Sequence, residues 1–321
     1  MATSITTSYV GEFAGKYVAA SLLSAPTIEK GGVTVLPNVR YKQVLQKVAD
    51  ANLVRNATCN FTDASTITLT ERVLTVKDLQ VNLELCKADY FQTWQAAELG
   101  FSNFKELPKS FADFMIARVG ERVAANIETA FWTGSSLTTG SFDGISTQVA
   151  LDPNLPVAQE IAAAVITSSN IVAELGKIVD AMPATLYGNP NLRIYLSTNM
   201  AKAYVRALGG FATVGGTVAN VTPGTGVNNQ STTWYNQGAL SFDGVEIFWA
   251  PGLAATTAIA TTTDNLFFGT SVLSDLNEVK VIDMADMDGS QNVRMIMRFV
   301  GGAQYGAVED VVTYGITNSA N

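Results

Sequence analysis

Apolar positions along this chain switch between a helical and an alternating period, and the switches mark its elements. Tyr9, Phe13, Tyr17 and Ala20 recur at helical spacing before Pro26, and Tyr41, Val44, Leu45 and Val48 do the same after Pro37. These predict two short helices in an arm over residues 1–62, separated by the extended piece EKGGVTVLPN. From Thr66 the period becomes two. Ile67 and Leu69, then Val81, Leu83 and Leu85, alternate with polar residues and predict a long two-stranded excursion turning near Thr75 to Asp78. An isolated hairpin is marginal in water, so such a ribbon is expected to lie on another surface.

The strongest helical signal is LPKSFADFMIARVGERVAANIETAFWTG. Pro108 suits a first turn, and Ser110 with Asp113 forms a capping pair. Phe111, Phe114, Met115, Val119, Val123, Ile127, Ala130 and Phe131 make one stripe, and Gly134 stops it. About 24 residues at ~1.5 Å each predict a rod of roughly 36 Å. After LDPNLP, the residues Ile171, Leu175, Ile178, Val179 and Met182 predict a helix ended by Pro183. LRIYLST then reads as a buried strand, and NMAKAYVRAL as a helix capped by Ser197 or Thr198. Residues 209–238, rich in Gly, Thr and Asn, predict a long surface loop. FDGVEIFWAP, NLFFGT, EVKVIDM and NVRMIMRFVGGAQYGAV are strands, the last two joined by ADMDGSQ. The whole is an α+β pattern.

Composition narrows the chemistry more than the fold. Of 321 residues, 47% are hydrophobic and 15% charged, enough for a substantial core. No apolar run approaches the ~20 residues a membrane-spanning helix needs. MATSITTSYVGEF has neither the basic start nor the apolar run of a secretory signal, so synthesis in a cytoplasm is expected. There is no histidine. Ser-His-Asp and Cys-His chemistry are thereby excluded, while carboxylate pairs, lysine Schiff bases and Mg²⁺ sites survive. A net charge of −8 argues against gripping nucleic acid across a broad basic face, but not against enclosing it. Cys59 and Cys86 form no CxxC knuckle; a disulfide between them would require a geometry that brings them together, and buried free thiols are expected.

Candidate motifs fail on spacing. In DMADMDG, taking Asp286, Asp288 and Gly289 as calcium-loop positions puts Met284 first and Met295 twelfth, where Asp and Glu are needed. An acidic hairpin turn is expected instead. No GxxxxGK[ST] or GxGxxG run occurs. Asp89 with Glu98, or Glu121 with Glu128, would serve a glycosidase only across a suitable cleft, and surface or interface roles are expected. Trp94, Trp132, Trp234 and Trp249 are too dispersed for a base-stacking platform and read as packing residues. No catalytic, cofactor-binding or metal-ligating residue is assigned.

The order of elements resembles that of HK97-like major capsid proteins. Phe131-Trp132-Thr133-Gly134 followed by Phe142-Asp143-Gly144-Ile145 is similar to the family's glycine-stopped spine helix and its Gly-Ile turn. IVDAMP with LRIYLSTNMAKAYVRAL is similar to its axial helix, strand and helix, and FDGVEIFWAPGL, DNLFFGT and EVKVIDM to its next block. TITLTERVLTVKDLQVNLELCKADYFQTW resembles capsid proteins of crAss-like and related marine phages.

The resemblance implies an N-arm over 1–62, an E-loop ribbon and linker over 63–106, and a spine helix with its following turn over 107–156. An axial domain over 157–275 and peripheral return strands over 276–321 complete it. It further implies hexamers and pentamers of one subunit in an icosahedral shell, assembled in a bacterial cytoplasm around double-stranded DNA without sequence-specific contacts. Portal, scaffold or decoration proteins would be partners, with no membrane and no cofactor. The ribbon would drape over a neighbour's spine helix. Rival functions are an encapsulin-like compartment with protein cargo, a carboxylate-dependent hydrolase, or a β-rich phage surface or tail protein.

Overall fold

The computed structural model describes residues 25–50, 56, 57, 59, 67–86, 109–208, 240–271 and 280–320. A short α1, Pro26–Glu29, leads into β1, Thr34–Leu36, and then β2, Lys42–Asp50, β3, Ile67–Thr75, and β4, Lys77–Cys86. The long helix α2 spans Lys109–Thr133, followed by α3, Ile145–Val149, and β5, Glu160–Ile161. Next come α4, Ile171–Asp180, β6, Leu192–Leu196, α5, Thr198–Leu208, β7, Ser241–Phe242, and β8, Val245–Trp249. The chain closes with β9, Ala258–Thr262, β10, Leu266–Gly269, β11, Lys280–Asp283, α6, Ala285–Asp288, β12, Asn292–Tyr305, and β13, Val312–Tyr314.

Two sheets organise the body. In the first, β12 is the central strand: β11 and β4 pair with opposite edges of its first part and β10 with its last four residues, while β1 extends the sheet beyond β10. Val293, Met295, Met297 and Phe299 alternate inward along β12. Met295, Met297 and Phe299 share one core with Val119, Val123, Ile127 and Phe131 of α2, which fixes the long helix across this sheet. The predicted apolar stripe is therefore the buried face from Val119 onward. At its end Gly134 and Gly144 approach so closely that a Cβ on Gly134 would stand 2.3 Å from the Phe142 carbonyl oxygen. Glycine is required there by close packing rather than by dihedral angle, and the spacing of the two is what turns the chain into α3.

The second sheet runs β5-β13-β9-β6-β8-β7. Ile171, Leu175 and Ile178 of α4 and Met200, Ala203 and Tyr204 of α5 pack on it in a separate core, as their helical spacing predicts. Asp243 and Gly244, both at positive φ, make the tight turn between β7 and β8.

Several expectations need correction. Residues 42–50 form strand β2 instead of a helix, because cross-strand pairing with the β-branched β3 overrides a short helical period. The ribbon is β2–β3; β3 does not pair with β4, and β4 joins β12 over Lys77 to Cys86. The alternation was a correct sign of strands but carries no information on partners. The Ser197 hydroxyl is buried without a hydrogen-bond partner, and Thr198 Oγ1 accepts the Trp249 indole N–H at 3.1 Å, so neither expected cap forms. The thiols are free but not buried: Cys59 is exposed and Cys86 half-buried. The helix expected over Tyr9 to Ala20, the capping pair at Ser110 and Asp113, and the loop at 209–238 fall outside what can be described.

Candidate assembly surface

The β2–β3 ribbon has two unlike faces, set by its register. Gln43 faces Leu74, Leu45 faces Arg72 and Lys47 faces Thr70 on one side. That side is clamped to the chain's own body. Leu74 is fully buried with Val39 and Val76 at the ribbon's root. Further out, Arg72 donates to Asp152 at 2.6 Å, and its guanidinium lies over the Tyr305 ring, 4.2 Å from the centroid. The Tyr305 hydroxyl donates to the same Asp152 oxygen at 2.6 Å. Lys47 reaches Glu309 at 2.6 Å, and the Gln304 amide donates to the Val73 carbonyl at 3.0 Å.

Asp152 is the hub of this clamp. Burial pushes its carboxyl up, but donation from the Tyr305 hydroxyl, the Asn154 N–H and Arg72 outweighs burial and holds it below its ordinary value. Burial together with the neighbouring Asp152 carboxylate pushes the Tyr305 phenol far above its ordinary range, so it remains a donor. The turn carrying Asp152 is braced from the chain's end, where the Asn318 amide donates to the Asp152 carbonyl at 2.7 Å and the Val149 carbonyl at 3.3 Å.

The other face of the ribbon points away from the body. Val44 and Val73 are directly opposed across the strands and are 48% and 41% exposed. Leu69 on that face is 66% exposed, and Tyr41 at its root 68%. Opposed apolar β-branched side chains contribute most when they shed water, and on this face they shed little of it within one chain.

A second anchor lies at the end of α2. Glu128 is fully buried: its carboxyl accepts the Trp132 indole N–H at 3.0 Å, the Thr27 hydroxyl at 2.5 Å and the Thr27 N–H at 3.2 Å. Burial raises this carboxyl above its ordinary range, against the opposing pull of the Thr27, Trp132 and Gly252 donors. Gly252 sits so close that a Cβ would meet the Glu128 carbonyl oxygen at 2.2 Å. One side chain thus joins the arm at α1, the long helix and the loop after β8.

The motifs weighed in the sequence separate accordingly. Glu121 is exposed and Glu128 buried, so they share no cleft, and the surface or interface role expected of Glu128 is corrected to an internal anchor. Asp89, Glu98, Trp94 and Trp234 lie outside the described residues. Trp132 is wholly buried, edge-on to Phe131 with ring centres 5.1 Å apart, and Trp249 is half-buried. DMADMDG is a hairpin connection between β11 and β12, with one helical turn closed by Gly289 at positive φ. Among the described residues no group of three or more acidic or thiol side chains is placed to hold a metal ion, and no helix is long and apolar enough to cross a membrane. The Arg72, Asp152 and Tyr305 cluster escaped sequence inspection, since its members are scattered along the chain with no shared motif.

No protein-family model matches the sequence, and no curated protein sequence matches it. Solved structures do. A capsid chain of a native GTA particle matches with a TM-score of 0.63 at 12% identity, over 96% of this chain and 95% of that one. A chain of Mycobacterium phage Adephagia matches at 0.58 and 12% identity, covering 92% and 88%. A capsid chain of cyanophage P-SCSP1u matches at 0.55 and 11% identity, covering 99% and 96%. At such low identity and nearly full mutual coverage, what is shared is the fold, and this protein has the α+β, HK97-like fold of phage capsid chains.

Proposed function

We propose that this chain is a major capsid protein whose copies tile a closed icosahedral shell around the double-stranded DNA of a tailed phage. The observation that carries the proposal is the ribbon's outward face. Val44, Leu69 and Val73 lie exposed on that face, on either side of the Gln46–Glu71 pair, with Tyr41 exposed at the root, on a two-stranded element whose opposite face is already committed to its own body. A monomer gains nothing from exposing it, whereas a neighbouring copy would bury it. The full-length agreement in fold with capsid chains supports a second copy as the cover. The ribbon that reaches the neighbour is β2–β3, bounded by Lys42–Asp50 and Ile67–Thr75.

Copies would meet in hexamers and pentamers, with portal, scaffold or decoration proteins as further partners. A net charge of −8 suits a container, since a strongly basic wall would hold back incoming DNA. Electron microscopy of the expressed chain tests the proposal. Closed shells are expected; small soluble oligomers or fibres would contradict it. Nuclease-protected DNA in particles from infected cells is expected, and a protein cargo in its place would favour a nanocompartment.

A further inference from the structure

A groove on the second sheet has a chemistry of its own. It lies between α5 and β8, with a volume of about 320 Å³, floored by Val205, Leu240, Ile247 and Trp249. The indole is held in place by its N–H donation to Thr198. Lys202 and Arg206, one helical turn apart on α5, line the same groove, and both are exposed. Among the described residues neither has a carboxylate partner. Two cations with no carboxylate partner among the described residues, beside an apolar, aromatic floor in a chain of net charge −8, select an apolar side chain flanked by carboxylates.

The chain itself carries such a group. At the turn between β11 and β12, Met287 is 73% exposed and is followed by the exposed Asp288; in the sequence Asp286 precedes it. Methionine is unbranched and adaptable, and fills an irregular apolar groove readily. Because Met287 is exposed in its own chain, it does not fill that chain's groove. We infer that the acidic Met287 turn of one copy docks in the α5–β8 groove of a second copy, with Lys202 and Arg206 receiving its carboxylates. The contact joins unlike surfaces, so its repetition generates rings or extended assemblies rather than closed two-fold dimers. This inference rests on the capsid reading for its context, though the contact can be measured without shells.

The test is a charge exchange combined with directed cross-linking. Lys202→Glu/Arg206→Glu and Asp286→Lys should each lower assembly by about tenfold or more while leaving thermal unfolding unchanged, and mixing or combining them should restore it; Asp288 is left in place because its carboxylate accepts the Ser290 N–H at 2.9 Å. Full restoration is the readout that a merely structural role would not give. Separately, in a Cys59→Ser/Cys86→Ser background, chains carrying Val205→Cys and differently tagged chains carrying Met287→Cys should form a mixed dimer with a short bismaleimide. Neutral charge variants, variants that do not rescue one another, or absence of the mixed dimer would each overturn the contact. If wild-type chains form shells and the mixed dimer is absent, the docking fails and the capsid proposal stands. If wild-type chains form no shells yet the mixed dimer appears, the capsid proposal fails and the docking stands.

Discussion

Strands β3 and β4 are separated by the single residue Val76, and both alternate apolar with polar positions, yet they lead opposite lives. β4 lies along β12 for ten residues and turns Leu79, Val81, Leu83 and Leu85 toward the core of the long helix. β3 leaves that sheet, pairs with β2 alone among the described residues, and shows Leu69 and Val73 to solvent. Val76 is the pivot: it is buried, and its N–H donates to the Tyr41 carbonyl at 3.2 Å, which crosses the two arms of the ribbon at their root. An alternating pattern therefore specifies a face and not its cover. For β4 the cover is the chain's own core, and for β3 it is supplied by another chain in our proposal.

If the two regions differ in this way, substitutions in the body should cost folding and those on the ribbon should cost assembly. The largest loss is expected at Trp132, which is wholly buried, touches Phe131 and Tyr195, and donates to Glu128. Trp132→Ala should lower stability by about 3–5 kcal/mol, read by urea denaturation. A loss below about 1 kcal/mol would mean that the end of the long helix is not the keystone described.

The clamp comes next. Asp152→Ala removes the partner of both Arg72 and Tyr305 and should cost about 2–3 kcal/mol, freeing the ribbon while the body stays folded. Faster amide exchange confined to β2 and β3 is the expected signature. Because the Asp152 carboxyl is held below its ordinary value of 3.8, its contribution is complete above that pH and is lost as pH falls further. Asp152→Asn should flatten that acid limb of the stability curve. Glu128 behaves in the opposite sense. Its raised carboxyl favours the fold below its ordinary 4.5 and surrenders that stability as pH rises through the higher folded value. Glu128→Gln should remove this decline, so thermal unfolding measured from pH 4 to 8 should run flatter than in the wild type.

The smallest effect belongs to Lys47. Its pair with Glu309 is largely exposed, so Lys47→Ala should cost about 0–1 kcal/mol, a cost that shrinks further as added salt screens the pair. A larger loss would show that the outer part of the clamp matters as much as Asp152.

How far these regions were legible in the sequence follows the same division. The long helix, α4, α5 and the alternating β12 were readable because each carries many apolar positions at one period, and packing agrees with that local signal. The glycines at 134 and 144 were legible too, as a stop and a turn. The strand at Lys42–Asp50 was not, because Val44 and Val48 satisfy a helical spacing and a period-two face equally well, and only pairing with β3 decides between them. The partner of β4 lies more than two hundred residues away, and Arg72 on β3, Asp152 in the turn after α3 and Tyr305 on β12 are brought together only by the tertiary fold. No local pattern encodes such meetings. The buried state of Glu128 was hidden for a related reason: its donors come from Thr27 and Gly252 as well as from its own helix.

The most direct measurement is sedimentation velocity, paired with electron microscopy, on the wild type and on Val44→Lys/Val73→Glu. These two residues oppose one another on the outward face and belong to no core cluster of the body, and opposite charges facing across the strands keep the ribbon paired, so the variant should unfold near the wild-type temperature. The account predicts closed shells from the wild type and only folded subunits or small oligomers from the variant. Intact shells from the variant would contradict it.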